Sequence, residues 1–114
     1  MYTYKAKLVR VIDGDTLDAE IDLGFGIFIK QRIKLYGISI PEAKSKKNGG
    51  DAKTHLIQIL PREFMIETIL NKRGKFGRVL GVIFFLDADN VKHTLNEVLV
   101  EDGYAIAYPP VVKD

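Results

Sequence analysis

Cysteine and tryptophan are both absent from this 114-residue chain. Without cysteine there is no disulfide framework and no thiolate metal site, so packing alone must hold the fold, in either redox compartment. Phenylalanine and tyrosine carry all the aromatic bulk. No apolar run approaches the length of a membrane-spanning helix. Met1-Tyr2-Thr3-Tyr4 is not a signal peptide. The chain as given therefore reads as cytoplasmic, or as secreted if the sequence has been trimmed. A one-signed charge excess is also missing: 17 Lys and Arg against 15 Asp and Glu leave +2. Bulk electrostatics thus gives no reason to expect nucleic acid, and any such reading must come from local clustering. What is present, 46% hydrophobic and 28% charged residues, fits one domain over residues 1–114 with a real core.

The pattern along the chain is mainly that of strands. Tyr4, Ala6 and Leu8 alternate with Lys5 and Lys7, and the phase slips at Leu8-Val9, which predicts a bulge. Asp13-Gly14 is a turn signal. From Thr16 to Leu23 the alternation is clean, with Leu17, Ala19 and Ile21 on one face and Asp18, Glu20 and Asp22 on the other. A third strand is expected over 27–38, with Ile27, Ile29, Ile33 and Leu35 inward and Lys30, Arg32 and Lys34 outward. Residues 42–50 read as a polar loop. Helical spacing follows through Ala52, Leu56, Ile59 and Leu60 until Pro61. Strands are expected over 63–70 and 78–86, the latter apolar on both faces and so central. Asp87 to Asn90 turn the chain, and 91–93 pair back. Thr94 with Glu97 spells a capping box for a short helix stapled by Leu95, Val98 and Leu99, with Gly103 as its C-terminal cap. Five short strands with a helix after the third and another after the fifth predict an α+β fold, a five-stranded Greek-key barrel of OB type. Element order alone also admits other small α+β folds.

Two stretches carry the chemistry. Ile12-Asp13-Gly14-Asp15-Thr16 puts two carboxylates on a turn at a strand end, and Gly37-Ile38-Ser39-Ile40-Pro41-Glu42 ends a later strand in another. Grouped carboxylates suit a hard cation, and Lys34 and Arg78 offer positive charge to a phosphate. Taken singly, each element has an ordinary structural reading: Asp and Gly favour turns, and a row of cations on a strand is usually a solvated face.

Taken together, Ile-Asp-Gly-Asp-Thr at 12–16, the basic residue seven before Pro41, Pro41-Glu42, Phe76-Gly77-Arg78 and Leu95 to Gly103 resemble the staphylococcal-nuclease-like proteins, the thermonucleases. The likeness covers nearly the whole chain and stops before that family's last helix. It implies an OB-fold and a Ca²⁺-dependent phosphodiesterase cutting DNA or RNA, preferably single-stranded, to leave 3′-phosphate ends. It implies that Asp15 is the principal calcium ligand, with Asp13, Ser39 and Ile40 completing the metal position. Glu42 would orient or deprotonate the attacking water, and Lys34 and Arg78 would contact the phosphate. Arg32, Lys75 and Tyr108 are candidates for nucleic-acid contact, Arg32 because it shares a strand face with Lys34. The basic loop around Lys75 also reads as a solvated loop, and Tyr108 as packing or plain exposure. The expected assembly is a monomer. Two positions depart from the family pattern: Lys34 stands where Arg is usual and Ser39 where Asp is usual. Lysine keeps the charge but lacks the planar fork, and losing one oriented donor costs roughly 10²–10³ in rate by analogy with oxyanion-hole deletions. Serine removes a carboxylate from the metal position. These departures favour a competing reading, a non-catalytic OB module that binds nucleic acid or a protein.

Overall fold

The computed structural model describes residues 2–41, 51–69 and 78–107, with Asp51 and Arg78 described for the backbone alone. The expected alternation becomes β1 (Thr3–Asp13), β2 (Thr16–Asp22), β3 (Phe28–Leu35), β4 (Ile38–Ser39), α1 (Asp51–Ile59), β5 (Glu63–Ile69), β6 (Arg78–Leu86), β7 (Lys92–Thr94), α2 (Leu95–Glu101) and β8 (Ile106–Ala107). The main sheet runs β3-β2-β1-β5-β6-β7. A parallel pairing of β3 with β6, from Arg32 opposite Arg78 to Leu35 opposite Gly81, closes five of its strands into a barrel. β4 and β8 form a separate two-stranded ribbon. This is the expected OB-type architecture.

Inward residues of every barrel strand meet in one core. Leu17, Ile33, Ile66 and Ile83 are fully buried from the strands, with Leu56 from α1 and Leu95 and Leu99 from α2. The phase slip in β1 is a true register shift: Leu8 pairs with Ala19, but Arg10 pairs with Asp18. Because side chains alternate with period 2, the extra residue swings Arg10 outward, to the face that Asp18 occupies.

Three expectations need correction. The third strand does not run unbroken to Ile38. It ends at Leu35, and Tyr36-Gly37 turns the chain into β4, with Gly37 at φ +81°. Ile27 and Ile29 are exposed while Ile33 and Leu35 are buried, because the barrel interior ends before the β2–β3 turn. The capping box does not form: Thr94 makes no side-chain cap bond, being also the last residue of β7. The C-terminal expectation holds. Gly103 takes φ +86°, Gly103 N–H bonds Val100 O, and Tyr104 N–H bonds Leu99 O, the Schellman pattern.

Gly14 owes its place to space rather than to backbone freedom, since it is not among the positive-φ glycines. A Cβ there would lie 2.5 Å from Ala52 Cβ and 3.2 Å from Ile40 Cγ1. α1 is thus pressed directly onto the Asp13-Gly14-Asp15 turn. Gly14→Ala is expected to cost about 1–3 kcal/mol by overpacking, read by urea unfolding. A change below about 0.5 kcal/mol, the size of a neutral surface substitution, would mean that this approach is not tight.

Candidate active site at the strand ends

The β1–β2 turn and the end of β3 are joined by pairing. Asp13 lies opposite Thr16, and Thr16 opposite Lys34. Leu35 N–H also bonds Asp15 O at 2.8 Å, fixing the turn to the strand. Asp15 is therefore held at every polar atom. Its Oδ2 accepts from Lys34 Nζ at 2.7 Å and its Oδ1 from the Thr16 hydroxyl at 3.0 Å. Its own N–H donates to Asp13 Oδ1 at 3.1 Å. The ion pair is partly sheltered, with side chains 22% (Lys34) and 14% (Asp15) exposed. Lys34 Nζ also reaches Ile38 O at 3.5 Å, at the start of β4.

These contacts separate the two carboxyls. Burial pushes Asp15 up, but hydrogen bonds with Asp13, Lys34 and Thr16 and the Lys34 charge outweigh it, leaving Asp15 below the usual range. Burial raises Asp13, and its carboxyl hydrogen bond and like charge with Asp15 raise it further. The pair titrates together, with Asp15 the more acidic member.

Ser39 ends β4, paired with Ile106, and Ile40 follows, its side chain close to Gly14. Ile40 therefore lies against the turn. The Arg78 backbone opens β6 directly beside Arg32. The expectations for Glu42, Lys75, Tyr108 and the Arg78 side chain lie outside the described residues. Arg32 is engaged elsewhere: its Nε and Nη2 donate to Asp18 Oδ1 and Oδ2 at 2.9 and 3.2 Å, while Arg10 Nε donates to Asp18 Oδ2 at 3.1 Å. Those bonds, Arg32's first, hold the partly buried Asp18 carboxyl below its usual range.

Asp13 and Asp15 are hard oxygen donors on one turn, the ligand type that a hard cation such as calcium takes. Among the described residues no third carboxylate or histidine joins them, so the fit is to a cation held by two carboxylates, backbone or hydroxyl oxygen and water. Lys34 already neutralises one of the four carboxylate oxygens.

Sequence reading missed the partners of these groups. Thr16 read only as the end of the turn motif and Asp18 as an outward strand residue, although Thr16 steadies Asp15 and Asp18 gathers two arginines. His55 belongs to none of the sequence motifs. Its Nε2 lies 2.7 Å from Asp102 Oδ2, and its ring stacks on Tyr104 at 4.2 Å, which ties α1 to the end of α2.

Residues 32–114 match the model of the staphylococcal nuclease homologue family. The chain is 30% identical over 102 residues to an uncharacterized endonuclease of Escherichia coli, covering 90% of this chain and 60% of that protein. It is 25% identical over 111 residues to a micrococcal nuclease of Shigella flexneri, covering 92% and 59%. An uncharacterized protein of Methanocaldococcus jannaschii is 30% identical over 129 aligned positions, with the same coverage of 92% and 59%. The chain thus spans about three fifths of the length of these relatives.

Proposed function

Since this chain belongs to the staphylococcal nuclease homologue family, we propose that it hydrolyses phosphodiester bonds of DNA or RNA, with calcium at Asp15 and water as the nucleophile. The observation that carries the reading is the Asp13–Asp15–Lys34 cluster: two carboxylates and an ammonium fixed together where two hairpin-linked strands end. Asp15, Asp13 and the oxygens of Ser39 and Ile40 are the residues that would hold the cation. Calcium bound there supplies Lewis-acid polarisation of the phosphate. Lys34 places a fixed positive charge beside the phosphate and donates to a non-bridging oxygen as charge builds there. Arg78, arriving on the strand next to the one that bears Lys34, is assigned the second donor. Glu42 is assigned the attacking water. Single-stranded substrate is preferred because its phosphates reach a pair of strand ends without a duplex in the way.

Digestion of denatured DNA with millimolar Ca²⁺, then with chelator, tests this. Calcium-dependent cutting supports the reading, and none above the background of an inactive variant overturns it. A specific observation favours the second reading, a non-catalytic OB module. Lys34 Nζ already sits on Asp15 Oδ2, and Ser39 brings no carboxylate. The same observation yields a prediction. Ser39→Asp adds a charged oxygen ligand and should tighten calcium about tenfold, since affinity follows ligand charge. Calorimetric titration reads it, together with a larger calcium-induced rise in Tm. Unchanged affinity would remove residue 39 from the metal position.

A further inference from the structure

The outward residues of β3 form a row that ends at the candidate site. Phe28, Lys30, Arg32 and Lys34 are spaced by two and so share one face of the strand, at intervals of about 6.6 Å. Phe28 is 51% exposed. Opposite them on β2 stand Asp22, Glu20, Asp18 and Thr16 in register. β1 returns to cations: Lys7 opposite Glu20 and Arg10 opposite Asp18. On these three strands the carboxylates therefore lie between two basic stripes, and β5 adds Glu63 on the far side of Lys7.

At the end of the row away from Lys34, a cavity of about 390 Å³ opens between Phe28 and Phe84, with Lys5 and Lys7 set among Glu20, Asp22 and Glu63 on its border. Lys92 Nζ lies 4.4 Å from the centre of the Phe84 ring. The slot's aromatic rings suit the flat face of a base, while its carboxylates offset its two lysines, so stacking rather than charge would hold the base there.

We propose that the outer face of β3, from Lys34 through Arg32 and Lys30 to the slot between Phe28 and Phe84, is a binding track for a single-stranded nucleic acid extending away from the cleavage position. The inference rests on the nuclease reading for that end point. Cations two residues apart follow the phosphates, and Phe28 receives a base at the far end. Arg32 spends two of its five N–H donors on Asp18 and Arg10 one, so both keep donors for phosphate. Asp18 orients the two guanidinium groups and opposes the approaching phosphate. The track is therefore weak and salt-sensitive by construction, and its strength is set by β2 as much as by β3.

The test is fluorescence anisotropy of a labelled twelve-nucleotide DNA strand on the full chain, in chelator so that nothing is cut. Lys30→Ala should weaken binding several-fold and flatten the salt dependence by about 0.7 in log–log slope, one phosphate contact for a single strand. Phe28→Ala should weaken the twelve-mer at least fivefold but leave a dinucleotide unaffected, because the dinucleotide does not reach the slot. Asp18→Asn should tighten binding, which a merely structural ion network would not do. Melting curves check that each variant is folded. Unchanged affinity in Lys30→Ala and Phe28→Ala, or weaker binding in folded Asp18→Asn, overturns the track. So does equal competition by polyglutamate, which would assign the face to acidic protein. The two readings fail separately. Calcium-dependent digestion with no effect of these variants leaves the nuclease and removes the track, whereas the expected binding changes without digestion remove the nuclease alone.

Discussion

Asp15→Ala is expected to lower calcium-dependent digestion of denatured DNA by roughly 10²–10³ or more, and to erase any calcium-induced rise in Tm. Asp15 is the point where the local interactions converge. It holds Lys34 at 2.7 Å, accepts from Thr16 at 3.0 Å, and donates its N–H to Asp13. Truncation would leave the Lys34 ammonium, only 22% exposed, without its counter-charge, so some stability will also be lost. Asp15→Asn separates the two effects. The single amide oxygen can still accept from Lys34, and the Thr16 hydroxyl can turn to accept from the amide NH2 at the other position, but the charge a calcium ion needs is gone. Asp15→Asn should therefore melt close to the parent protein in chelator, while failing to respond to calcium and failing to cut. If either variant, purified to the same standard, digests DNA like the parent, Asp15 is not the metal ligand and the proposed activity loses its centre. Wild-type activity in chelator would have the same consequence for calcium.

The cluster was legible in part, for a physical reason. Asp13 and Asp15 are neighbours on a turn, and short-range pattern is what a sequence displays. That Lys34 pairs with Asp15, 19 residues away, depends on the hairpin register, which hydrophobic alternation constrains but does not print. The Arg10–Asp18–Arg32 group depends on register twice over. The bulge in β1 must first turn Arg10 outward, and β2 must then set Asp18 between the two arginines. The bulge itself was readable as a phase slip, but its consequence for charge was not. β3 was overextended because Ile38 is one more apolar residue past Gly37, although it falls one position out of phase with Ile33 and Leu35, the mark that the turn leaves. The capping box failed because Thr94 has two local roles, and ladder pairing with Phe84 in β7 won. The His55–Asp102 contact spans 47 residues and joins two helices whose packing follows from the barrel rather than from either helix. Local periodicity thus marked the strands and the carboxylate turn, while the choice of the barrel among small α+β folds followed from the family resemblance. Partners set by register or by helix docking became visible once the chain was folded.

Asn96 carries the second large expectation. It is a polar residue on the buried stripe of α2, 5% exposed, and its amide is fully used. Oδ1 accepts the Ile83 N–H at 3.1 Å, while Nδ2 donates to Tyr36 O at 2.8 Å and Gly81 O at 3.2 Å. One side chain thereby fastens α2 to β6 and to the turn that carries the chain from Lys34 toward Ser39 and Ile40. Gly81 O keeps a bond from Tyr36 N–H at 2.8 Å if the amide is removed, but Ile83 N–H and Tyr36 O lose these side-chain partners. Each unsatisfied buried group costs about 1–3 kcal/mol, so Asn96→Ala should destabilise the protein by about 3 kcal/mol or more. That corresponds to a fall in Tm of roughly 15 °C for a domain of this size. Asn96→Asp is the informative companion. It keeps one acceptor for Ile83 N–H but turns the donor toward Tyr36 O into a second acceptor, so it should be no better than alanine. Urea unfolding of both variants decides the matter. A loss under about 1 kcal/mol in Asn96→Ala, or an aspartate variant as stable as the parent, would show that the amide does not brace the turn. The position of Ile40 beside Gly14 would then have to be maintained by the β4–β8 pairing.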